Sequence, residues 1–161
     1  MGLLNKLFGG KPKIDWEEIK RTKKLYPANS LTLFTFTNGN GDMGTGWVDM
    51  GYSDYQYKRF CPFNLRIMVD LTDSIAESNP DLDMGDIEDF FSMELQKLGV
   101  AHFVARVVTE QGLNLEFYLE ESEPITSYLK RLSTDPSRLV SFTMNITHDP
   151  RWDTVRGLMR V

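Results

Sequence analysis

Residues 101–120, AHFVARVVTEQGLNLEFYLE, read as a β-hairpin. The second arm alternates without a break. Leu113, Leu115, Phe117 and Leu119 fall on one side, and Asn114, Glu116, Tyr118 and Glu120 on the other. Period-two alternation predicts a strand with one buried face and one wetter face. The first arm places Phe103, Ala105 and Val107 on one side, with His102, Val104, Arg106 and Val108 opposite. Glu110-Gln111-Gly112 joins the arms and offers a glycine for a positive φ.

The flanking segments extend the pattern on both sides. Residues 64–71, NLRIMVDL, alternate with Leu65, Ile67, Val69 and Leu71 inward. Residues 84–98 predict a helix, with Asp83 as its cap and Gly99 at the C′ position. Met84, Ile87, Phe91, Leu95 and Leu98 share one face of it, with Phe90 beside them. Pro124 opens a second helix with the stripe Ile125, Tyr128, Leu129 and Leu132; Lys130 and Arg131 fall near its negative end, and Asp135-Pro136 stops it. Residues 139–147, LVSFTMNIT, form the fourth strand, with Val140, Phe142, Met144 and Ile146 inward. The order is β-α-β-β-α-β, the pattern of a ferredoxin-like sandwich of the α+β class: an antiparallel sheet, expected strand order 4-1-3-2, with two helices on one face. A short C-terminal helix follows, with Asp149 as cap, Pro150 as first residue, and Trp152, Val155 and Met159 as its apolar face.

Ahead of this core, Gly9-Gly10-Lys11-Pro12-Lys13 reads as a linker. Asp15 and Glu18 form a capping box for a helix carrying Trp16 and Ile19, and Pro27 closes the segment. Residues 31–37, LTLFTFT, predict a strand. The glycine-rich tip Asn38-Gly39-Asn40-Gly41-Asp42 leads to a second strand around Gly46–Met50. Residues 51–63, GYSDYQYKRFCPF, read as an aromatic-rich loop packed onto the body. The expected organisation is a basic leader and linker over 1–13, a helix and hairpin extension over 14–63, and the core domain over 64–161.

Composition bounds the function. The 161 residues are 41% hydrophobic, with 10 Phe, 6 Tyr and 3 Trp, enough for a core without a staple. The single cysteine, Cys61, allows no internal disulfide and suits a reducing, cytoplasmic setting. Net charge is −5, but residues 1–24 are basic, so the body is more acidic than the total. An acidic body argues against nucleic-acid binding, which depends on neutralising phosphates, and leaves a basic protein partner open. The leader MGLLNKLFGG is too short for a signal peptide or a membrane span, and Lys6 stands where a myristoylation pattern wants Ser or Thr. It reads as a terminal turn, or as a weak membrane-surface contact through Leu3, Leu4, Leu7 and Phe8.

No segment carries a complete catalytic pattern. Asn38–Gly46, NGNGDMGTG, lacks the Gly-Lys-Ser/Thr of a phosphate-binding loop, and as a calcium loop it has Met43 where glycine and Asp49 where glutamate are required. It reads as a hairpin turn. Residues 73–89 hold Asp73, Glu77, Asp81, Asp83, Asp86, Glu88 and Asp89 with no Lys or Arg. A solvated helix start accounts for part of this; a docking surface for a basic partner and a divalent-cation site are the other readings. The outward sheet face carries Arg66, Met68, Arg106, Tyr118, Thr143 and Asn145. Tyr118 alone could stack a base, and Glu116 and Glu120 beside it repel phosphate. That face is expected to meet the N-terminal hairpin or a protein partner. His102 and His148 read as structural, Cys61 as a packed small hydrophobe, and zinc lacks ligand spacing. No cofactor is expected.

Residues 64–159 resemble the bacterial domain-of-unknown-function 695 family. The resemblance rests on the Asn64–Leu71 strand, Ile87-Glu88-Asp89-Phe90-Phe91, Leu115-Glu116-Phe117-Tyr118 and Asp149-Pro150-Arg151-Trp152. Pro80-Asp81-Leu82-Asp83 departs from the family's glycine-leucine-proline. The resemblance implies no catalytic residues; fusions in the family to a domain similar to a ribonuclease inhibitor imply regulation at the protein level. The expectation is a non-enzymatic protein-binding module, most concretely a bacterial immunity protein that neutralises a toxin by direct binding. Asp81, Asp83, Asp86 and Asp89, then Arg106 and Tyr118, are its expected contacts. A ribonuclease-binding regulator of RNA processing and a carboxylate- or metal-dependent enzyme are the alternatives.

Overall fold

The computed structural model describes residues 12–160, so the expectations for the leader at residues 1–11 lie outside it. Six antiparallel strands form one open sheet: β1 (Leu31–Thr37), β2 (Met43–Asp49), β3 (Phe63–Asp70), β4 (Ala101–Thr109), β5 (Gly112–Leu119) and β6 (Ser141–His148), in the spatial order β1-β2-β4-β5-β3-β6. The helices are α1 (Trp16–Ile19), α2 (Ser74–Glu77), α3 (Met84–Leu98), α4 (Glu123–Thr134) and α5 (Asp153–Arg156). The hairpin β1–β2 is not a separate layer. It continues the sheet beyond β4, so the sheet is larger than a four-stranded sandwich. Among the described residues no helix is long and apolar enough to cross a membrane.

The helix-side core follows the sequence pattern. Leu113, Leu115, Phe117 and Leu119 of β5 are fully buried with Leu65, Ile67 and Val69 of β3. Ile87, Phe91 and Leu95 of α3 and Ile125 and Leu129 of α4 close over them. Each such side chain stabilises the fold by about 1.5–3 kcal/mol relative to exposure. Asp83 and Asp86 form a reciprocal capping box at the start of α3. Gly99 ends α3 with extended backbone, φ 163°, rather than in the left-handed turn usual at C′, and Leu98 is exposed. The β4–β5 turn does need its glycine. Gly112 has φ +147°, and a Cβ there would lie 2.1 Å from the Val69 carbonyl oxygen.

The opposite face is not covered by the N-terminal hairpin, which lies in the plane of the sheet. Residues 49–62 and the segment after β6 cover it, so Tyr118 and Glu116 are buried. Tyr52, Tyr55, Cys61, Val104, Tyr118, Trp152 and Val155 form a second core. Trp152 holds it closed. Its ring stacks on Tyr118 at 4.1 Å and 10°, and its Nε1 donates to the Cys61 carbonyl at 2.9 Å. Asp149 accepts from the Tyr118 hydroxyl at 2.7 Å and from the backbone N–H groups of Asp153 and Thr154 at 2.9 Å. Burial opposes its charge, but these donors hold its carboxyl below the usual carboxylate range. The turn puts Trp152 at φ 59°, the left-handed region that disfavours a side chain, and its buried contacts maintain it there. α5 therefore begins at Asp153, not at Pro150.

Three smaller differences have local causes. α1 stops at Ile19 because Thr22 turns back, its hydroxyl donating to the Ile19 carbonyl and accepting from Lys24 N–H. The acidic segment contains α2, capped by Asp73. β2 begins at Met43 despite two glycines, since Phe36 and Phe34 of β1 lie over them; a Cβ would sit 2.2 Å from the Phe36 ring at Gly44 and 2.6 Å from the Phe34 ring at Gly46.

Phe117→Ala should cost about 3–5 kcal/mol in urea unfolding. A loss under about 1 kcal/mol would contradict the placement of Phe117 at the centre of the core.

Candidate functional site

The site originates in an irregularity of β4. The ladder between β4 and β5 shifts register between Phe103 and Ala105, so Val104 is an extra residue, a β-bulge. Before it, Ala101 and Phe103 oppose Leu119 and Phe117 on the helix side. After it, Arg106 and Val108 oppose Leu115 and Leu113, and so take that side in place of Ala105 and Val107. The alternation expected for the first arm is thus inverted beyond Val104. Arg106 turns towards the helices, where it pairs with Glu88 of α3. Its expected place on the outward sheet face is corrected by the bulge.

The bulge also ends the neighbouring ladder. β2 pairs with β4 only over Thr45–Val48 against Ala105–Val108. Beyond it the strands part, and a cleft of about 460 Å³ opens. Trp47 and Phe103 floor it, their rings edge to face at 4.7 Å. Glu88, Asp89, Ser92 and Gln96 of α3 form one wall; Tyr26, Pro27, Asn29 and Leu31 form the other. Asp49 and Tyr52 lie at its end. Asp49 is buried, and its Oδ1 accepts from the N–H groups of Ser30 at 2.8 Å and Gly51 at 2.9 Å, which fixes the turn below β1.

Behind Tyr52, His102 is fully buried. The Tyr55 hydroxyl donates to the Leu25 carbonyl at 2.7 Å, so its oxygen can only accept from His102 Nε2, 3.4 Å away. His102 Nδ1 then accepts from the Tyr52 hydroxyl at 3.0 Å. This network needs a neutral imidazole, and burial pushes the His102 pKa down from 6.5 to about 3. Burial likewise raises the pKa values of Tyr52, Tyr55 and Cys61. None of these groups is an activated nucleophile or base; they support one side of the cleft.

The expected contact residues divide among several places. Asp81, Asp83, Asp86 and Asp89 are exposed. Asp83 and Asp86 each commit one oxygen to the capping box. Asp89 lines the cleft, and Arg106 adjoins it through Glu88. Tyr118 is 0% exposed on the other side of the sheet, beneath Trp152, and no partner reaches it without unfolding that layer. Sequence reasoning did not pick out Trp47, Tyr26 or Gln96. The one local signal was Arg106, a charged residue within a run of small apolar ones. Asn38 accepts at Oδ1 from the N–H groups of Asn40 and Asp42, closing the glycine-rich tip as a hairpin turn. Among the described residues no group of three or more His, Cys, Asp and Glu side chains is placed to hold a metal ion.

A carboxylate above an aromatic floor suits a cationic side chain, which gains Coulomb attraction at the rim and a ring face beneath. Comparison with known proteins finds no matching family model, curated protein or solved structure.

The buried histidine gives a pH prediction. The unfolded chain binds a proton near pH 6.5 that the folded chain refuses until about pH 3. The contribution of His102 is therefore whole above pH 6.5 and lost as pH falls towards 3, by about 1.4 kcal/mol per pH unit. Denaturant titrations between pH 7 and 5 should show stability falling in the native chain, ever more steeply towards this limit. His102→Gln should be less stable at pH 7 but flatter over that range; an equal slope in both chains would contradict the assignment.

Proposed function

We propose that this chain is a non-enzymatic protein-binding module for a partner with a basic surface, most concretely a bacterial immunity protein that occludes a cognate toxin. The observation that carries the reading is the cleft floored by Trp47 and Phe103, with the exposed carboxylate of Asp89 on its α3 wall beside Glu88, which Arg106 already holds. It is shaped for a lysine or arginine of the partner. The exposed carboxylates of Asp81, Asp83 and Asp86 continue the same sign of charge along the start of α3, which steers a basic surface to the cleft and raises its association rate.

The reading includes the finer architecture. β3-α3-β4-β5-α4-β6 serves as a ferredoxin-like unit, supported by the adjacency β4-β5-β3-β6 and by α3 and α4 sharing one face. It also retains the resemblance to the domain-of-unknown-function 695 family. The most specific part of that resemblance, Asp149-Pro150-Arg151-Trp152, has a structural task in this chain, which agrees with a family in which no catalytic residues are established.

The test is co-expression with toxins encoded by neighbouring genes, followed by binding measurements. The native chain should rescue growth and bind directly. Asp81→Lys with Asp89→Lys should weaken binding about tenfold or more at low salt, mainly through the association rate, at an unchanged melting temperature. Neither rescue nor binding with any of these toxins would overturn the proposal.

A further inference from the structure

We propose that two copies of this chain associate through β1, antiparallel about a two-fold axis at Phe34, so that the sheet runs on across the dimer. β1 is a sheet edge, and among the described residues no strand pairs with its outer side. The hydrogen-bond phase identifies which groups that side presents. The Ser30 carbonyl accepts from Met50 N–H at 2.7 Å, and Asn38 N–H donates to the Asp42 carbonyl at 2.9 Å. Both pairs continue the register in which Phe34 faces Gly46. Thr32, Phe34 and Phe36 therefore turn their backbone groups towards β2. Leu31, Leu33, Thr35 and Thr37 turn theirs outward.

That set is symmetric about Phe34. Antiparallel pairing on this axis sets Leu33 opposite Thr35 of the second copy and Leu31 opposite Thr37. Each of the four exchanges both backbone bonds with its opposite, so no outward donor or acceptor of the strand is left over. Phe34 faces its own counterpart, with its ring already turned aside over Gly46. The side chains agree with the backbone. Leu31 is 56% and Leu33 78% exposed, and pairing gives each a β-branched neighbour. The two Leu33 side chains meet diagonally.

The two-fold symmetry of the outward groups favours a second copy as the occupant, and charge singles out β1 as the place where two copies can meet. The chain carries −5, so two copies repel over most of their surfaces. β1 has no charged side chain, and of the residues Met43–Asp49 that face it only Asp49, which is buried, carries one. β1 also lacks every device that blunts an edge: no lysine, no proline and no bulge against β2. The other edge, β6, exposes Thr143, Asn145 and Thr147 instead. The result is a closed, isologous pair rather than a growing fibre, because β1 is used up in the contact.

Sedimentation velocity over a concentration series tests this. The native chain should shift from one chain's mass to two, with the dimer dominant at about 100 µM. Leu33→Lys should weaken the dimer at least tenfold with an unchanged melting temperature. Thr35→Pro removes an outward N–H while leaving the β2 ladder intact, and should do the same. A native chain that stays monomeric at that concentration would overturn the proposal. So would a dimer that survives both substitutions undiminished.

Discussion

At Val104, β4 carries one residue more than the strand opposite, and both neighbours of β4 respond. On the β5 side, the insertion exchanges the two faces for the rest of the strand. Arg106 enters the helix layer and takes Glu88 as its counter-ion. On the β2 side, the ladder ends at Val48 against Ala105 and the strands diverge. A cleft opens where a regular strand would have left a continuous sheet. The bulge is thus the common cause of the cleft and of the ion pair beside it.

The sheet is buried on both sides by different means. On the helix side, apolar stripes of two helices meet alternating strands. On the other side, irregular chain performs the covering, and polar groups are enclosed with it. These are satisfied: His102 between two tyrosines, Asn64 and Arg66 on Glu116, and Tyr118 on Asp149. An enclosed polar group without a partner costs about 1–3 kcal/mol, so this layer tolerates substitution less than its loop-like backbone suggests.

Much of the helix-side architecture is legible from residue spacing. β5, α3 and α4 carry unbroken periodicities, and Asp83 with Asp86 marks the start of α3. Tyr118 shows where that legibility stops. Alternation correctly separates it from Leu113 and Phe117, but alternation reports only which side a residue takes, not what covers that side. The cover comes from residues 49–62 and 149–159, whose aromatics follow no period. Arg106 was misplaced for a different reason: a bulge changes phase by one residue without a glycine or proline to announce it. The carboxylates of 81–89 were visible as charge, whereas the floor beneath them depends on Trp47 arriving from a strand distant in sequence.

Trp152 has a consequence for the order in which the chain can fold. The β4–β5 hairpin of the helix-side core forms from near neighbours, and β3 then joins β5 and β6 across longer separations, as far as Phe63 to His148. The contact from Trp152 to the Cys61 carbonyl spans 91 residues, and the stack on Tyr118 needs the left-handed turn at residues 149–152 in place. The β3–β6 ladder, in which Phe63 faces His148, closes most of that loop, so the Trp152 contact gains nothing until that ladder exists. A chain whose segment after β6 is not yet seated can hold its helix-covered core, while Tyr52, Tyr55 and Tyr118 lack the Trp152 ring that packs against all three. The layer is thus completed last: residues 49–62 supply most of the cover, and the seating of Trp152 closes it over Tyr118.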